Sequence, residues 1–318
     1  MFNSNLPQGE KVGLIKNINY NVPGIFLCAD LLYLFIDMVE EKFGYKIPVK
    51  YIYGSPQLKW NGGRLILHHY NSRFSLHEIE KEIFNAHQRK IIPLVTLSNM
   101  NLKKEDLTDV KCNDILKLIR DFNAEVIVSS ELLLEYIKEY YPMIGIHASV
   151  IKTAYHQNRD SHYYERLSKQ YDHYVVHPDD NFNDALLKKL PKDNAEIIVN
   201  ERCFYNCPMR SLHYDSISEE QITQTENSFQ NKNFLRNCNA MPEYKQSYTR
   251  ERNISLTASE MKQLHELGYD LFKIQGRTDE LHLFFFDLMR YTLENELAFP
   301  HMYAVFSHQI DKFIRGGS

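Results

Sequence analysis

A chain of 318 residues with 43% hydrophobic content can bury one large core or two modest ones. Its formal net charge is −4, and Lys and Arg are dispersed, never denser than pairs such as Lys103-Lys104 and Lys188-Lys189, which disfavours a nucleic acid as main ligand. The opening "MFNSNLPQGEKVG" has no basic segment followed by an apolar one, and the longest apolar run, "GIFLCADLLYLFIDMVEE", is interrupted by Asp30 and Asp37, so neither a secretory signal nor a membrane span is expected.

In chain order, short β-rich apolar runs alternate with amphipathic stretches. The runs are "VGLIKNINY", "PVKYIYG", "IIPLVTLS", "AEVIVSS", "MIGIHAS", "HYVVHP", "AEIIVNE" and "LFKIQGR". Between most of them lie "SLHEIEKEIFNAHQR", "NDILKLIRDF", "ELLLEYIKEYY", "NFNDALLKKL" and "SEMKQLHELG", with apolar residues at three- and four-residue spacing. Ser75 and Ser130 stand where helix N-caps belong, as does Thr257, with Glu260 three residues on as a capping box. Repeated strand–helix units imply a parallel sheet, and eight of them in this length predict a closed, TIM-like (β/α)8 barrel. A doubly wound open sheet is the alternative, but no Gly-rich dinucleotide fingerprint follows an early strand. The expected organisation is one barrel domain over residues 1–308 and a C-terminal tail over 309–318, ending in "RGGS".

One break interrupts the alternation. From Tyr205 to about Ile254 the chain is rich in Asn, Gln, Ser, Tyr and Arg, without convincing periodicity. Such a long irregular stretch inside a compact domain is normally functional or disordered. This insertion, taken as 203–254, leaves the end of a barrel strand and carries Cys203, Cys207 and Cys238. Zinc favours four closed ligands, often as two CxxC pairs, and there is no second pair. A dithiol redox motif normally has two residues between its cysteines, and this gap has three. An iron–sulfur cluster tolerates irregular spacing, because thiolates reach it from separate loops. Three unrelated free thiols are the remaining reading. Five cysteines without an export signal predict reduced thiols in the cytoplasm. Cys112 precedes a helical run and is either a fourth metal ligand or a structural thiol, whereas Cys28 sits in an apolar segment and reads as packing. Ligation by three cysteines would leave an iron open to substrate or to His213.

Other polar residues are candidates for the site. Arg210 and His213 lie three and six positions beyond Cys207, close enough to flank a cluster, and an arginine can hold a carboxylate bidentately. Arg64 follows "NGG", where small residues let a ligand approach. Alternation sends Lys273, Gln275 and Arg277 to one face of their strand, and three polar side chains there need a partner or a role. His147 and Ser149 also share a face, where a satisfied core histidine is the commoner outcome.

The segment "LTASEMKQLHELGYDLFKIQGR" closely resembles a block of the collagenase-like peptidases, family U-thirty-two, that ends in a KIEGR motif; here the motif is Lys273 to Arg277 with Gln275 in place of Glu. The span from "VKYIYGSPQLKWNGGR" to "IIPLVTLSN", the strand "IGIHASV" and "AEIIVNERCFYNC" are similar to further blocks of that family, in the same order over roughly residues 45 to 295. The resemblance implies a distorted TIM-like barrel whose cysteines hold a four-iron four-sulfur cluster. It further implies either a peptidase or an oxygen-independent hydroxylation of a small molecule, with prephenate as the oxygen donor. The chain is short, like the quinone-hydroxylating members. Cys203, Cys207, Cys238 and, as a fourth, Cys112 are then the expected cluster ligands. Arg210, His213, Lys273 and Arg277 are the expected catalytic residues, and Arg64 and Arg277 the expected contacts to an anionic substrate. No GxSxG elbow, HExxH pair or papain-like cysteine context supports a peptidase. A non-catalytic barrel that binds a partner protein is the other alternative.

Overall fold

The computed structural model describes residues 6–62, 74–201, 203, 205–223, 254–276 and 280–316. All eight expected strands are present and close into one parallel barrel in sequence order: β1 (Asn19–Pro23), β2 (Val49–Gly54), β3 (Ile92–Leu97), β4 (Glu125–Val128), β5 (Ile146–Ala148), β6 (His173–Val176), β7 (Ala195–Ile198) and β8 (Leu271–Lys273). Closure is made by β8, which pairs with β7 through Ile197↔Phe272 and with β1 through Tyr20↔Phe272. The first strand takes in only the last two residues of the expected run and continues to Pro23. Before it, Val12, Leu14 and Ile15 are buried, and Gly13 bridges Leu293 antiparallel.

The helices follow from periodicity and caps. Helix α1 (Ala29–Phe43) ends at Gly44, whose φ of 61° gives the left-handed cap that glycine adopts without a Cβ clash. Helix α2 (Leu76–Gln88) starts at a full capping box between Ser75 and Glu78 and buries Ile79, Ile83 and Ala86 on one face. Helix α3 (Val110–Asp121) is capped by Asp109, and α4 (Glu131–Tyr140) by Ser130. After β5 come the short α5 (Val150–Ala154) and α6 (Ser161–Gln170); α7 (Asp184–Leu187) follows β6. Helix α8 (Arg210–Thr223) follows β7, and α9 (Ala258–Glu266) begins at the expected Thr257–Glu260 capping box. Each such cap contributes about 1 kcal/mol.

Two expectations about organisation are corrected. The insertion is not irregular throughout, because it opens with the 14-residue helix α8. Residues 309–316 are not a tail: after α10 (Leu281–Thr292), helix α11 runs from Ala298 to Gly316. Its Phe306 and Ile310 are fully buried, and Phe306 packs edge-on against Phe35 of α1 at 5.4 Å between ring centroids. Apolar residues at 302, 306 and 310 carry the helical period past the expected boundary. No helix among the described residues is long and apolar enough to cross a membrane.

The main core lies between strands and helices and is apolar. The barrel's inside differs. Register sets the inward positions, since paired residues point to the same face. Asn21↔Tyr51, Leu94↔Glu125, Ile127↔His147, His147↔His173 and Glu196↔Leu271 place these side chains on one surface with Lys273. Tyr51, Leu94, Ile127 and Leu271 form their own apolar cluster there. The remaining inward groups include two carboxylates, two imidazoles, an amide and an ammonium, where barrels usually carry branched apolar residues.

Candidate functional site

Inside the barrel the charges answer one another. Glu196 is fully buried; its Oε2 accepts from Lys273 Nζ at 2.9 Å and its Oε1 from Asn21 Nδ2 at 2.5 Å. Burial alone would raise the Glu196 pKa, but Lys273, His147 and the Asn21 amide outweigh it and hold the group below the usual carboxylate range. The Lys273 ammonium also lies 4.4 Å from the Tyr53 ring centroid, a favourable cation–π distance. His147 is bonded through Nε2 to Glu125 at 2.7 Å, and burial lowers its pKa to about 3, so the ring is neutral and donates. Its Nδ1 has no hydrogen-bond partner among the described residues. His173 meets the Tyr51 hydroxyl at 3.0 Å and packs 4.6 Å from the His147 ring.

A second buried cluster stands at the carboxyl ends of β6, β7 and β8, the face on which (β/α)8 barrels carry their chemistry. Arg210, the first residue of α8, donates from Nη1 to His177 Nε2 at 2.7 Å and from Nη2 to Asp179 Oδ1 at 3.1 Å. His177 Nδ1 accepts from the Asp179 backbone amide at 3.2 Å and lies 3.5 Å from the Asp179 carboxylate. Burial, reinforced by Arg210 and Arg159, pushes the His177 pKa down. Burial would lower Arg210 too, but Cys203, Glu201 and Asp179 outweigh it and keep the guanidinium charged. Glu201 accepts from the Cys203 amide at 2.9 Å and from Gln275 Nε2 at 3.1 Å. Asn200 receives the Gln275 amide at 2.6 Å and donates to the Gln275 carbonyl at 2.8 Å, tying the end of β7 to the end of β8.

The two thiols meet at this place. Cys207 and Cys203 share a side-chain hydrogen bond, and that bond, then burial, pushes the Cys207 thiol up. The turn between them passes through Asn206 at φ 48°, a left-handed conformation that asparagine tolerates. The Asn206 amide donates to Asp179 Oδ2 at 3.3 Å, so the cysteine turn is anchored to the same carboxylate as Arg210. Helix α8 then buries Tyr214 and Ile217, and Tyr214 packs in a cluster with Val150, Ile151, Val175 and Ile198. Val175 and Ile198 lie at the inward positions of β6 and β7, so α8 roofs the barrel mouth.

The predicted residues therefore divide. Cys203, Cys207 and Arg210 come together, and His213 is buried on the same helix with its ring 6.4 Å from that of Tyr214. Arg210 and His213 are not on a solvated loop. Lys273 and Gln275 have the partners that alternation called for, in Glu196 and Glu201. Cys112 lies elsewhere: it is fully buried in the main core at the start of α3, and its pKa is raised by burial. Among the described residues no group of three or more His, Cys, Asp or Glu could hold a metal, so Cys112 does not join the Cys203–Cys207 pair. Cys28 is core packing as expected, its thiol raised to about 12 by burial. Arg64, Cys238 and Arg277 lie outside the described residues. Sequence reading missed Glu196, His177, Asp179 and Glu201. Their signal was available: each is a polar residue inside or just after a β-rich run, as in "HYVVHPDD" and "AEIIVNE".

No protein-family model matches the chain, and no curated protein matches it. Among solved structures, the U32 peptidase Mk0906 is similar with a TM-score of 0.51 and 12% identity, covering 86% of this chain and 94% of that one. The HpcH/HpaI aldolase from Desulfitobacterium hafniense DCB-2 aligns with a TM-score of 0.31 and 11% identity, covering 82% of this chain and 86% of that one. The chain thus has a U32-like barrel fold.

Proposed function

We propose that this barrel is an iron–sulfur enzyme that carries out an oxygen-independent hydroxylation, or a related redox modification, of a small molecule. The observation that carries the reading is the meeting of the Cys203 and Cys207 thiols beside the buried Arg210 at the carboxyl end of β7. The donor set suits iron: thiolates are its soft ligands, and a guanidinium offsets the negative charge that thiolate ligation brings. Cys203 and Cys207 would hold the cluster together with Cys238. When bound it would supply one-electron chemistry and a Lewis-acidic iron.

The remaining work falls to the chain's own residues. Asp179 and His177 fix the Arg210 guanidinium, so Arg210 positions the thiol turn and tunes its charge. Asp179 also receives the Asn206 amide, which holds the turn's backbone. Helix α8 excludes water from the mouth by covering Val175 and Ile198. With Arg210 committed to His177 and Asp179, contact to an acid such as prephenate falls to Arg64 and Arg277. A second reading, a peptidase, takes its support from the barrel shared with the U32 peptidase Mk0906.

Anaerobic purification with iron and sulfide assays and a visible spectrum tests the proposal. Brown protein that dithionite bleaches is expected. Replacing Cys203, Cys207 or Cys238 by Ala should abolish bound iron, whereas Cys28→Ala and Cys112→Ala should keep it. Colourless, iron-free, fully folded protein from anaerobic preparation would overturn the reading.

A further inference from the structure

Ser218 of α8 and two serines beneath that helix have hydroxyls without a hydrogen-bond partner among the described residues. Ser98 and Ser129 follow the last residues of β3 and β4, which are paired in register through Leu97↔Val128. Alternation puts Ser98 on the inward face after Leu94 and Thr96, and Ser129 on it after Glu125 and Ile127. Neighbouring strands lie about 4.8 Å apart, so the two residues are neighbours at the mouth. Ser218 approaches from the roof. A Cβ built on Gly62 would sit 2.4 Å from the Ser98 carbonyl oxygen and 2.9 Å from Ser218 Oγ, so the Ser98 backbone and the Ser218 hydroxyl close on the same glycine. Asn99 fixes this approach by donating to the Ser218 carbonyl at 3.0 Å and to the Lys59 carbonyl at 2.7 Å.

All three side chains are fully buried, and none of the three hydroxyls has a hydrogen-bond partner among the described residues. A buried, unanswered hydroxyl is unfavourable by about 1–3 kcal/mol, and alanine would fit the same space. The neighbouring serines show the contrast. Ser130 accepts from the Leu133 amide and Ser149 from the Ile151 amide, each as a helix cap. Ser129, one residue before Ser130, does nothing comparable. Three such hydroxyls stand at the mouth end of the barrel without an answer from the described residues.

We propose that Ser98, Ser129 and Ser218 form a substrate subsite for an uncharged hydroxyl or amide group. Hydroxyls offer both a donor and acceptors, which matches an alcohol or an amide, whereas a buried carboxylate needs a cation beside it. Arg210, the arginine of the same helix, begins it eight residues earlier, about 12 Å along the axis. The mouth is then divided along α8: the thiols and the guanidinium at one end, neutral hydroxyls at the other, and Tyr214 and Ile217 between. The subsite rests on the reading of this mouth as the substrate site, and does not depend on the iron–sulfur centre.

The test uses the full chain prepared without iron, so its failure is separate from failure of the cluster. Acetamide and acetate serve as probes in ligand-observed NMR, with Ser98→Ala, Ser129→Ala and Ser218→Ala as variants. Acetamide should show contact with the parent protein that falls at least threefold in each variant, and acetate should show none that depends on the serines. Each variant should also melt about 1–3 °C higher, since it removes a buried hydroxyl that lacks a partner. Lower melting temperatures, with acetamide contact unchanged or absent, would make the serines structural and overturn the subsite. Serine-dependent contact of acetate would overturn the assignment to an uncharged group.

Discussion

The two buried charged clusters of this barrel differ in how far each is self-sufficient. Inside the barrel, Glu196 faces one ammonium and one amide, and both of its oxygens are used. At the mouth, one guanidinium stands among Asp179, Glu201 and two thiols, with His177 held neutral beside it. The Glu196–Lys273 pair balances its own charge, and each Glu196 oxygen has a donor. At the mouth, acidic groups outnumber the cation, and ionising the thiols would demand more positive charge than Arg210 provides. Burial is similar in both places, so burial alone does not mark the functional one. The surplus of ligating groups does.

The comparison can be broken most directly at Lys273. Lys273→Met leaves Glu196 buried without its cation and should destabilise the fold by about 3–5 kcal/mol. Adding Glu196→Leu should recover most of that loss, because the uncompensated charge goes with it. Denaturant titration of the two single variants and the double variant measures both effects. A double variant as unstable as Lys273→Met would mean that the inner cluster does more than balance itself.

Arg210→Met should cost less stability, about 1.5–3 kcal/mol for the lost charged hydrogen bonds, because Asp179 can take up a proton. Burial already raises the Asp179 pKa. The same change should slow the reaction of Cys203 with a disulfide reagent at neutral pH, since the nearby cation favours the thiolate. Arg210→Lys should restore part of that rate. Unchanged thiol reactivity in Arg210→Met would separate the guanidinium from the cysteine turn.

A smaller effect per step comes from pH. His147 faces Glu125, Glu196, Asp172, His173 and Lys273, and its folded pKa of about 3 lies below the unfolded value near 6.5. Between those values the unfolded chain binds a proton that the folded chain refuses. Stability should therefore be flat above pH 6.5 on this account and fall as pH drops, by about 1.4 kcal/mol per unit. His147→Gln should flatten the slope between pH 6.5 and 5, leaving what His173 and His177 contribute by the same route. An unaltered slope would place the proton uptake elsewhere.

Local chemistry determined the elements: β-branched runs, helical periods, the N-cap at Ser75 and the capping box at Thr257 read out in order as eight strand–helix units. Those signals act over a few residues, which is why they survive without tertiary context. The helix that continues to Gly316 was also legible, had its apolar period been followed past residue 308. Pairing across the barrel was not. Lys273 and Glu196 are 77 residues apart, and Arg210 and His177 are 33 apart. Only barrel closure and register set their separations in space. The cysteine spacing marked the mouth, but it could not say that Cys112 is held in the core while Cys203 meets Cys207. Nor could it show the Ser98, Ser129 and Ser218 hydroxyls left without a partner among the described residues, because whether a polar group is answered depends on every chain segment folded around it.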